Sequence, residues 1–414
     1  MTDLKRHPLQ GVKVLDLGQI YNGPYAGFLL AMAGADVIKV EPIDGEAIRD
    51  RSGRGGISFA FGMLNSNKRD IAIDLKTAEG KALLIELARE ADILLENFAP
   101  GALDRLGIGA SVLQAANPRL IYASSTGYGL SGPSRDNLAM DLTIQANSGI
   151  MSVNGPGDGP PMKAGVAVAD FFGGVHLYCG ILTALYEREQ TGMGRMVEIA
   201  MLEAVYPVLA TNLTAMHQAG GVQPPRRGNQ HPVGSSAPYG VYETSDGYVA
   251  IICVREVHWE NLMELMGRAD LKDDPRFVDQ ATRGENSRLV DSVVQAWTCT
   301  LTKDEVTETL RAHQVPAAAV RELTEVVEDA HMHERGMLHR IAHPELGSVI
   351  LPHSPLRFHG EARVELAPSP GLGQHTREVL ADWLDYDAGQ IDELVKSGAI
   401  TAAEPGERVD TKLT

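Results

Sequence analysis

With 414 residues and a formal charge of −17, the chain is too long for one ordinary core and too acidic for the broad basic face that nucleic acids and anionic membranes require. Hydrophobic residues at 44% and charged residues at 22% are those of a soluble globular protein, and 43 glycines point to many tight turns. Cys179, Cys253 and Cys299 are too few and too scattered for a disulfide framework or a zinc site, so no metal and a cytoplasmic location are expected.

The first residues, MTDLKRHPLQG, lack the apolar run of a signal peptide. GVKVLDLG (Gly11–Gly18) reads as a buried strand, the apolar run after Gly23-Pro24 as a helix, and ADVIKVE (Ala35–Glu41) as a second strand. DIAIDL alternates like a strand, and TAEGKALLIELAREA carries Leu83, Leu84, Leu87 and Ala88 at helical spacing. ADILLENF and PRLIYASSTGYG add two further strands around a helical stretch. This alternation predicts an α/β fold, a Rossmann-like large domain with a parallel sheet. No GxGxxG follows the first strand, so nothing supports nicotinamide binding and a nucleotide oxidoreductase is disfavoured.

The Gly- and Pro-rich stretch between Asn147 and Gly165 reads as a mobile loop leading to Asp170. Phe171 to Tyr186 is the longest mostly apolar stretch, yet it is shorter than the roughly 20 residues that span a bilayer, and a buried helix is expected. GRMVEIAMLEAVY gives a strand and a helix start, and YGVYETSDGYVAII two strands joined by a Ser-Asp-Gly turn. A helical, charge-rich segment follows to about Glu328, then a strand near Ser348–Leu351 and a helix near Thr376–Trp383. The organisation drawn from this is a large Rossmann-like domain whose first part covers 1–217, a linker over 218–235, a smaller α+β domain over 236–330, and over 331–414 a linker and a return to the large domain.

Several segments, in order, carry a resemblance: VLDLGQIYNGPYAGFLLAMAGADVIKVE, NSNKRDIAIDLKTAEGK, ENFAPGALDRLGIG, AGVAVADFFGGVHLYCGILTALYEREQTGMGR and GLGQHTREVL. The chain resembles the class III CoA transferases (CaiB/BaiF, formyl-CoA transferase-like). The resemblance implies an interlaced homodimer and an Asp nucleophile at Asp170. It also implies CoA contacts at Ile20, Tyr21, Asn22, Lys68, Asn97, Phe98 and Arg105. Coenzyme A and acyl-CoA are then substrates, with a carboxylic acid as the other, and no cofactor is tightly bound.

The first loop carries Tyr21 where formyl-CoA transferases carry Gln, and RRGNQHPVGSSAPYG (Arg226–Gly240) stands in place of their glycine-rich run. Both departures count against formyl and oxalyl groups and toward small dicarboxylates such as succinate, mesaconate or citramalate.

The chemistry suits a carboxylate, because a mixed anhydride on Asp170 preserves the activation of the thioester and an ester to Ser would discard it. Asp170 before an apolar helical stretch is also an ordinary helix cap, where the helix dipole stabilises an anion by roughly 0.3–1 kcal/mol. Gly173 and Gly174 serve either close approach to the reacting carbonyl or a helix crossing. The CoA phosphates need cations, for which Lys68, Arg69 and Arg105 are candidates, with Arg49, Arg51 and Arg54 behind them. His231 and Tyr239 sit where a small-domain loop would cover the substrate, or belong to a structural turn. Phe98 is a ligand contact or core, His375 a cap or surface residue, and Asp16 and Glu41 local hydrogen-bonding partners.

The alternative on the same fold is a 2-methylacyl-CoA racemase, which needs two proton-transfer groups about the α-carbon. Met140 stands where such racemases carry His, and Met cannot move protons, so the racemase reading needs another His, such as His176, in its place. A catalytically silent acyl-CoA-binding protein is disfavoured by the intact Asp170.

Overall fold

A computed structural model describes residues 7–50, 56–360 and 362–402. These residues form two compact units. The larger comprises the chain up to Ile144, Ala167–Val205 and the chain from Asp329 onward; the smaller comprises Gln145–Val166 and Tyr206–Glu328.

In the larger unit the chain runs β1 (Lys13–Asp16), α1 (Asn22–Met32), β2 (Asp36–Glu41), β3 (Arg69–Ile73), α2 (Ala78–Glu90), β4 (Ile93–Glu96) and β5 (Ile121–Thr126). It continues through α3 (Asp141–Asn147), α4 (Val168–Thr191) and β6 (Met196–Ala200). The six strands are parallel in the order β3-β2-β1-β4-β5-β6, and Ile400–Thr401 pairs antiparallel with β3. This is the Rossmann-like sheet that the alternation of elements predicts, with the chain end returning to it.

The period of two along the strands sorts their side chains onto two faces. Leu15, Ile38, Ile71 and Leu94 pack with Leu83, Leu84 and Leu87 of α2 and with Val379, Leu380 and Trp383 of the helix Thr376–Leu384. Val14, Val37, Ile93, Ile121 and Ala123 pack with Ala26, Phe28 and Leu30 of α1 and with Leu177, Tyr178 and Ile181 of α4. Each such Leu or Ile stabilises the fold by roughly 1.5–3 kcal/mol of apolar burial. The expected burial of the Phe171–Tyr186 stretch holds for one face alone. Asp170, Gly173, Leu177, Ile181, Ala184 and Arg188 are buried, whereas Phe172, Val175 and Tyr186 are exposed.

The smaller unit holds the antiparallel sheet β7 (Tyr239–Glu243), β8 (Tyr248–Ile252) and β9 (Ala317–Ala319), over a core that includes Trp259, Phe277, Val290, Val294, Val306 and Leu310. Its membership departs from the boundaries drawn on the sequence. Gln145–Val166 and the helix Ala210–Gln218 group with it, where Gln223 Nε2 donates to Ser152 O at 3.0 Å and Arg226 Nε to Pro156 O at 3.2 Å. A Gly- and Pro-rich segment has no hydrophobic period to disclose which unit it joins.

Under the β1–α1 connection of the larger unit lies a buried network of charges. Lys68 Nζ donates to Asp16 Oδ2 at 2.6 Å, Pro24 O at 2.9 Å and Asn65 Oδ1 at 2.9 Å. Lys39 donates to Gly18 O and lies 3.4 Å from Glu46, whose other oxygen accepts from the Ile20 N–H at 2.9 Å. Arg49 Nε donates to Glu41 at 3.1 Å, and its guanidinium is 3.6 Å from Asp70. Asp70 in turn accepts from the Gly373 N–H at 2.6 Å.

Burial, and then the Glu41 carboxylate, push Asp70 well above the usual carboxylate range. Against its own burial, Arg49 and a hydrogen bond with Asp70 hold Glu41 at about 2. The shifts favour a proton on Asp70 over Glu41, and Lys39, Lys68 and Arg49 lie among Asp16, Glu41, Glu46 and Asp70. Burial lowers Lys68 to about 8, against the pull of Asp16.

The protonated Asp70 sets a pH dependence. A carboxyl raised by folding contributes stability at low pH and loses it as pH rises through its folded value. Across that window its contribution falls with a slope approaching about 1.4 kcal/mol per pH unit. Asp70→Asn mimics the protonated acid, since its amide donates toward Glu41 and its oxygen still accepts from Gly373. Thermal unfolding followed upward from about pH 4, the ordinary carboxylate value, is expected to show this loss in the wild type and a flatter profile in Asp70→Asn.

Candidate active site

The β1–α1 connection is held from below and from the side. The carboxamide of Asn97 brackets Gln19: its Oδ1 accepts from the Gln19 N–H at 2.6 Å and its Nδ2 donates to Gln19 O at 3.0 Å. Ile20 has a φ of 62°, a left-handed conformation that β-branched residues rarely adopt, and its N–H is the one tied to Glu46. The network and Asn97 together hold this strained turn.

The turn delivers Tyr21 and Asn22 to the N-terminal end of α4. The Tyr21 ring stacks on Phe171 with centroids 6.0 Å apart, and Tyr25 meets the edge of Phe171 at 4.9 Å. A Cβ at Gly173 would lie 2.2 Å from Asn22 Nδ2, and one at Gly174 would lie 2.6 Å from Asn22 O. Both glycines are therefore required for α1 to approach α4 this closely, which is the helix-crossing role among the two expected of them.

Asp170 is the third residue of α4 and is 9% exposed. Its expected position as the N-cap is corrected by the structure: that position is Ala167, and the capping acceptor comes from another element. Asp141, at the start of α3, accepts from the Ala169 N–H at 2.8 Å and from the Asp170 N–H at 3.4 Å. Asp170 remains in the first turn, where the helix dipole favours an anion by roughly 0.3–1 kcal/mol. Asp141 was not singled out from the sequence. Its signal was an acidic residue opening a helix, which without the fold suggests only a local role.

The expected CoA contacts separate into distinct groups. Ile20, Tyr21, Asn22 and Asp170 share one corner of the larger unit. Lys68 is 4% exposed and directs its ammonium to three internal acceptors, and Asn97 spends its amide on Gln19. Arg49 is buried against Glu41, and Arg69 is shared among Asp36, Glu378 and Asp382. Phe98 packs against the core beside β4. Arg105 is exposed, with Nη1 3.3 Å from Pro100 O. Arg51 and Arg54 lie outside the described residues.

In the smaller unit His231 and Tyr239 meet edge to face at 4.9 Å, and burial, then Arg227, lower His231 below the usual histidine value. His375 caps the helix Thr376–Leu384 by position, and its Nδ1 accepts from the Asp70 N–H at 3.1 Å. Met140 is exposed immediately before α3. His176 sits on the exposed face of α4 with Nδ1 2.8 Å from Phe172 O, away from the buried face that carries Asp170.

The whole-chain comparisons agree with this geometry. A family model described as CoA-transferase family III matches residues 9–376. The formyl-CoA:oxalate CoA-transferase of Streptomyces avermitilis is 37% identical over 410 residues, covering 95% of this chain and 99% of that protein. The succinyl-CoA–D-citramalate CoA-transferase of Chloroflexus aurantiacus is 34% identical, covering 91% of this chain and 94% of its own length. A crystal structure of a CaiB/BaiF family protein from Brucella suis is similar with a TM-score of 0.82 and 34% identity, covering 92% of this chain and 100% of that one. The match runs through the sheet, the first turn and the helix of Asp170 alike, and the chain belongs to CoA-transferase family III.

Proposed function

We propose that the protein moves coenzyme A from an acyl-CoA donor to a small dicarboxylic acid in a ping-pong cycle carried on Asp170. The observation that carries this reading is the placement of Asp170. It is a nearly buried carboxylate in the first turn of α4, relieved of capping by Asp141 and set beside the turn of Tyr21 and Asn22.

In the cycle, an Asp170 oxygen attacks the thioester carbonyl and the sulfur leaves with its electron pair as CoA thiolate. The product is a mixed anhydride. The thiolate then attacks the Asp170 carbonyl carbon, and the donor acid leaves as its carboxylate. The acceptor carboxylate attacks the resulting aspartyl-CoA, and the same two steps in reverse deliver acceptor-CoA and restore Asp170.

The dicarboxylate assignment rests on the acids in relatives' names, D-citramalate and mesaconate, and on the GNQHP stretch Gly228–Pro232. Arg105, exposed after β4, is the cation assigned to the CoA phosphates. Coenzyme A enters as substrate, with no tightly bound cofactor. The cysteines, all unpaired, fit the cytoplasm. A second copy of the chain is assigned to the exposed face of α4, where Phe172, Val175 and Tyr186 form an apolar strip. The racemase alternative is weakened by Met140 and by the outward position of His176.

Asp170→Asn is expected to lower the transfer rate by about four orders of magnitude or more while leaving thermal unfolding unchanged, because Asp141 keeps the cap. Loss of fold together with activity would return Asp170 to a structural role. Deuterium entering the α-carbon of an acyl-CoA without any acceptor acid would favour the racemase. Val175→Glu is expected to shift the protein from dimer to monomer in light scattering, and a monomeric wild type would remove the homodimer.

A further inference from the structure

The carboxamide of Asn22 is buried at 1% exposure, and among the described residues both its Oδ1 and its Nδ2 lack a hydrogen-bond partner. Neighbouring amides are satisfied: Asn97 brackets Gln19, and Asn65 accepts from Lys68 while donating to Phe61 O. Buried polar groups in folded proteins are almost always paired, so a side chain orphaned at both atoms marks a place that a partner fills during function.

The position of that partner follows from α4. The amide nitrogen lies 2.2 Å from where a Cβ at Gly173 would be. Helical Cα–Cβ bonds lean toward the N-terminus, so this point lies over the turn that carries Asp170. Positions 170 and 173 are neighbours on one face, about 5–6 Å apart at Cβ. Gly173 thus vacates the space beside Asp170, and the Asn22 amide takes it.

We propose that Asn22 is a catalytic residue whose Nδ2 donates a hydrogen bond to the Asp170 carbonyl oxygen while that carboxyl is acylated. The inference rests on the ping-pong reading and names the step it serves. When CoA thiolate attacks the Asp170 carbonyl carbon of the mixed anhydride, the C–S bond forms and the carbonyl pair moves onto the Asp170 oxygen. The adduct collapses as the bond to the anhydride oxygen breaks and the donor acid leaves as its carboxylate. An amide N–H fixed in place beforehand stabilises the passing oxyanion without reorganisation.

Rapid-quench turnover with acyl-CoA, read by mass spectrometry of the Asp170 peptide, measures how fast aspartyl-CoA forms. At saturating acyl-CoA, Asn22→Ala is expected to slow it by about 100- to 1000-fold, with thermal unfolding unchanged, since no protein hydrogen bond is lost. Gly173→Ala keeps Asn22 but displaces its amide, and is expected to show the same defect; it decides the matter where Asn22→Ala does not fold. Formation at the wild-type rate in the folded variants overturns the proposal, and so does a loss that follows a lowered melting temperature. A wild-type enzyme that forms no Asp170 adduct overturns the ping-pong reading and this inference with it. A wild-type adduct with an unimpaired Asn22→Ala overturns this inference alone.

Discussion

The buried charges beneath the β1–α1 turn are the constraint on which the site depends. Lys39, Lys68 and Arg49 face Asp16, Glu41, Glu46 and Asp70 in a region shielded from water, where removing one partner from a pair costs about 3–5 kcal/mol. Such a network tolerates few rearrangements, and its outermost hydrogen bonds end on backbone: Glu46 on the Ile20 N–H, Lys39 on Gly18 O, Lys68 on Pro24 O. It thereby converts electrostatics into a fixed turn. The left-handed Ile20 is held by these bonds and by Asn97 rather than by any preference of its own.

A fixed turn matters because α4 approaches it so closely. Gly173 and Gly174 let Asn22 and Tyr25 lie against the helix within a methyl group's width of its backbone, and Tyr21 closes over Phe171. Asp141 caps the helix from α3, so Asp170 is positioned without being consumed by the cap. Turn, cap and glycine pair together bring the Asn22 amide, which has no hydrogen-bond partner among the described residues, against the first turns of the helix that carries Asp170.

The sheet was legible because strand and helix periods are local. Leu83, Leu84 and Leu87 pack as their spacing predicts, and GVKVLDLG, ADVIKVE and the Tyr239–Ile252 hairpin form where expected. Asp170 was singled out through the family resemblance, and its expected place as the N-cap gave way to a place in the first turn, because the cap position is Ala167. The roles of Lys68 and Asn97 were not, because a sequence does not tell whether an amine points to solvent or into a web of carboxylates that converge from β1, β2 and β3. Asp141 was missed for a related reason: a cap supplied across 28 residues of chain has no local signature. The two units divide where a Gly- and Pro-rich segment changes allegiance, and such a segment carries no periodic pattern.

The covalent role proposed for Asp170 makes a demand on oxygen atoms that no rival reading shares. Each cycle passes one Asp170 oxygen to the departing acid and replaces it with one from the acceptor. Turnover with an acceptor dicarboxylate labelled with oxygen-18, followed by mass spectrometry of the Asp170 peptide, should show one labelled oxygen in the Asp170 carboxyl. An unlabelled Asp170 after many turnovers, with transfer proceeding normally, would contradict the account.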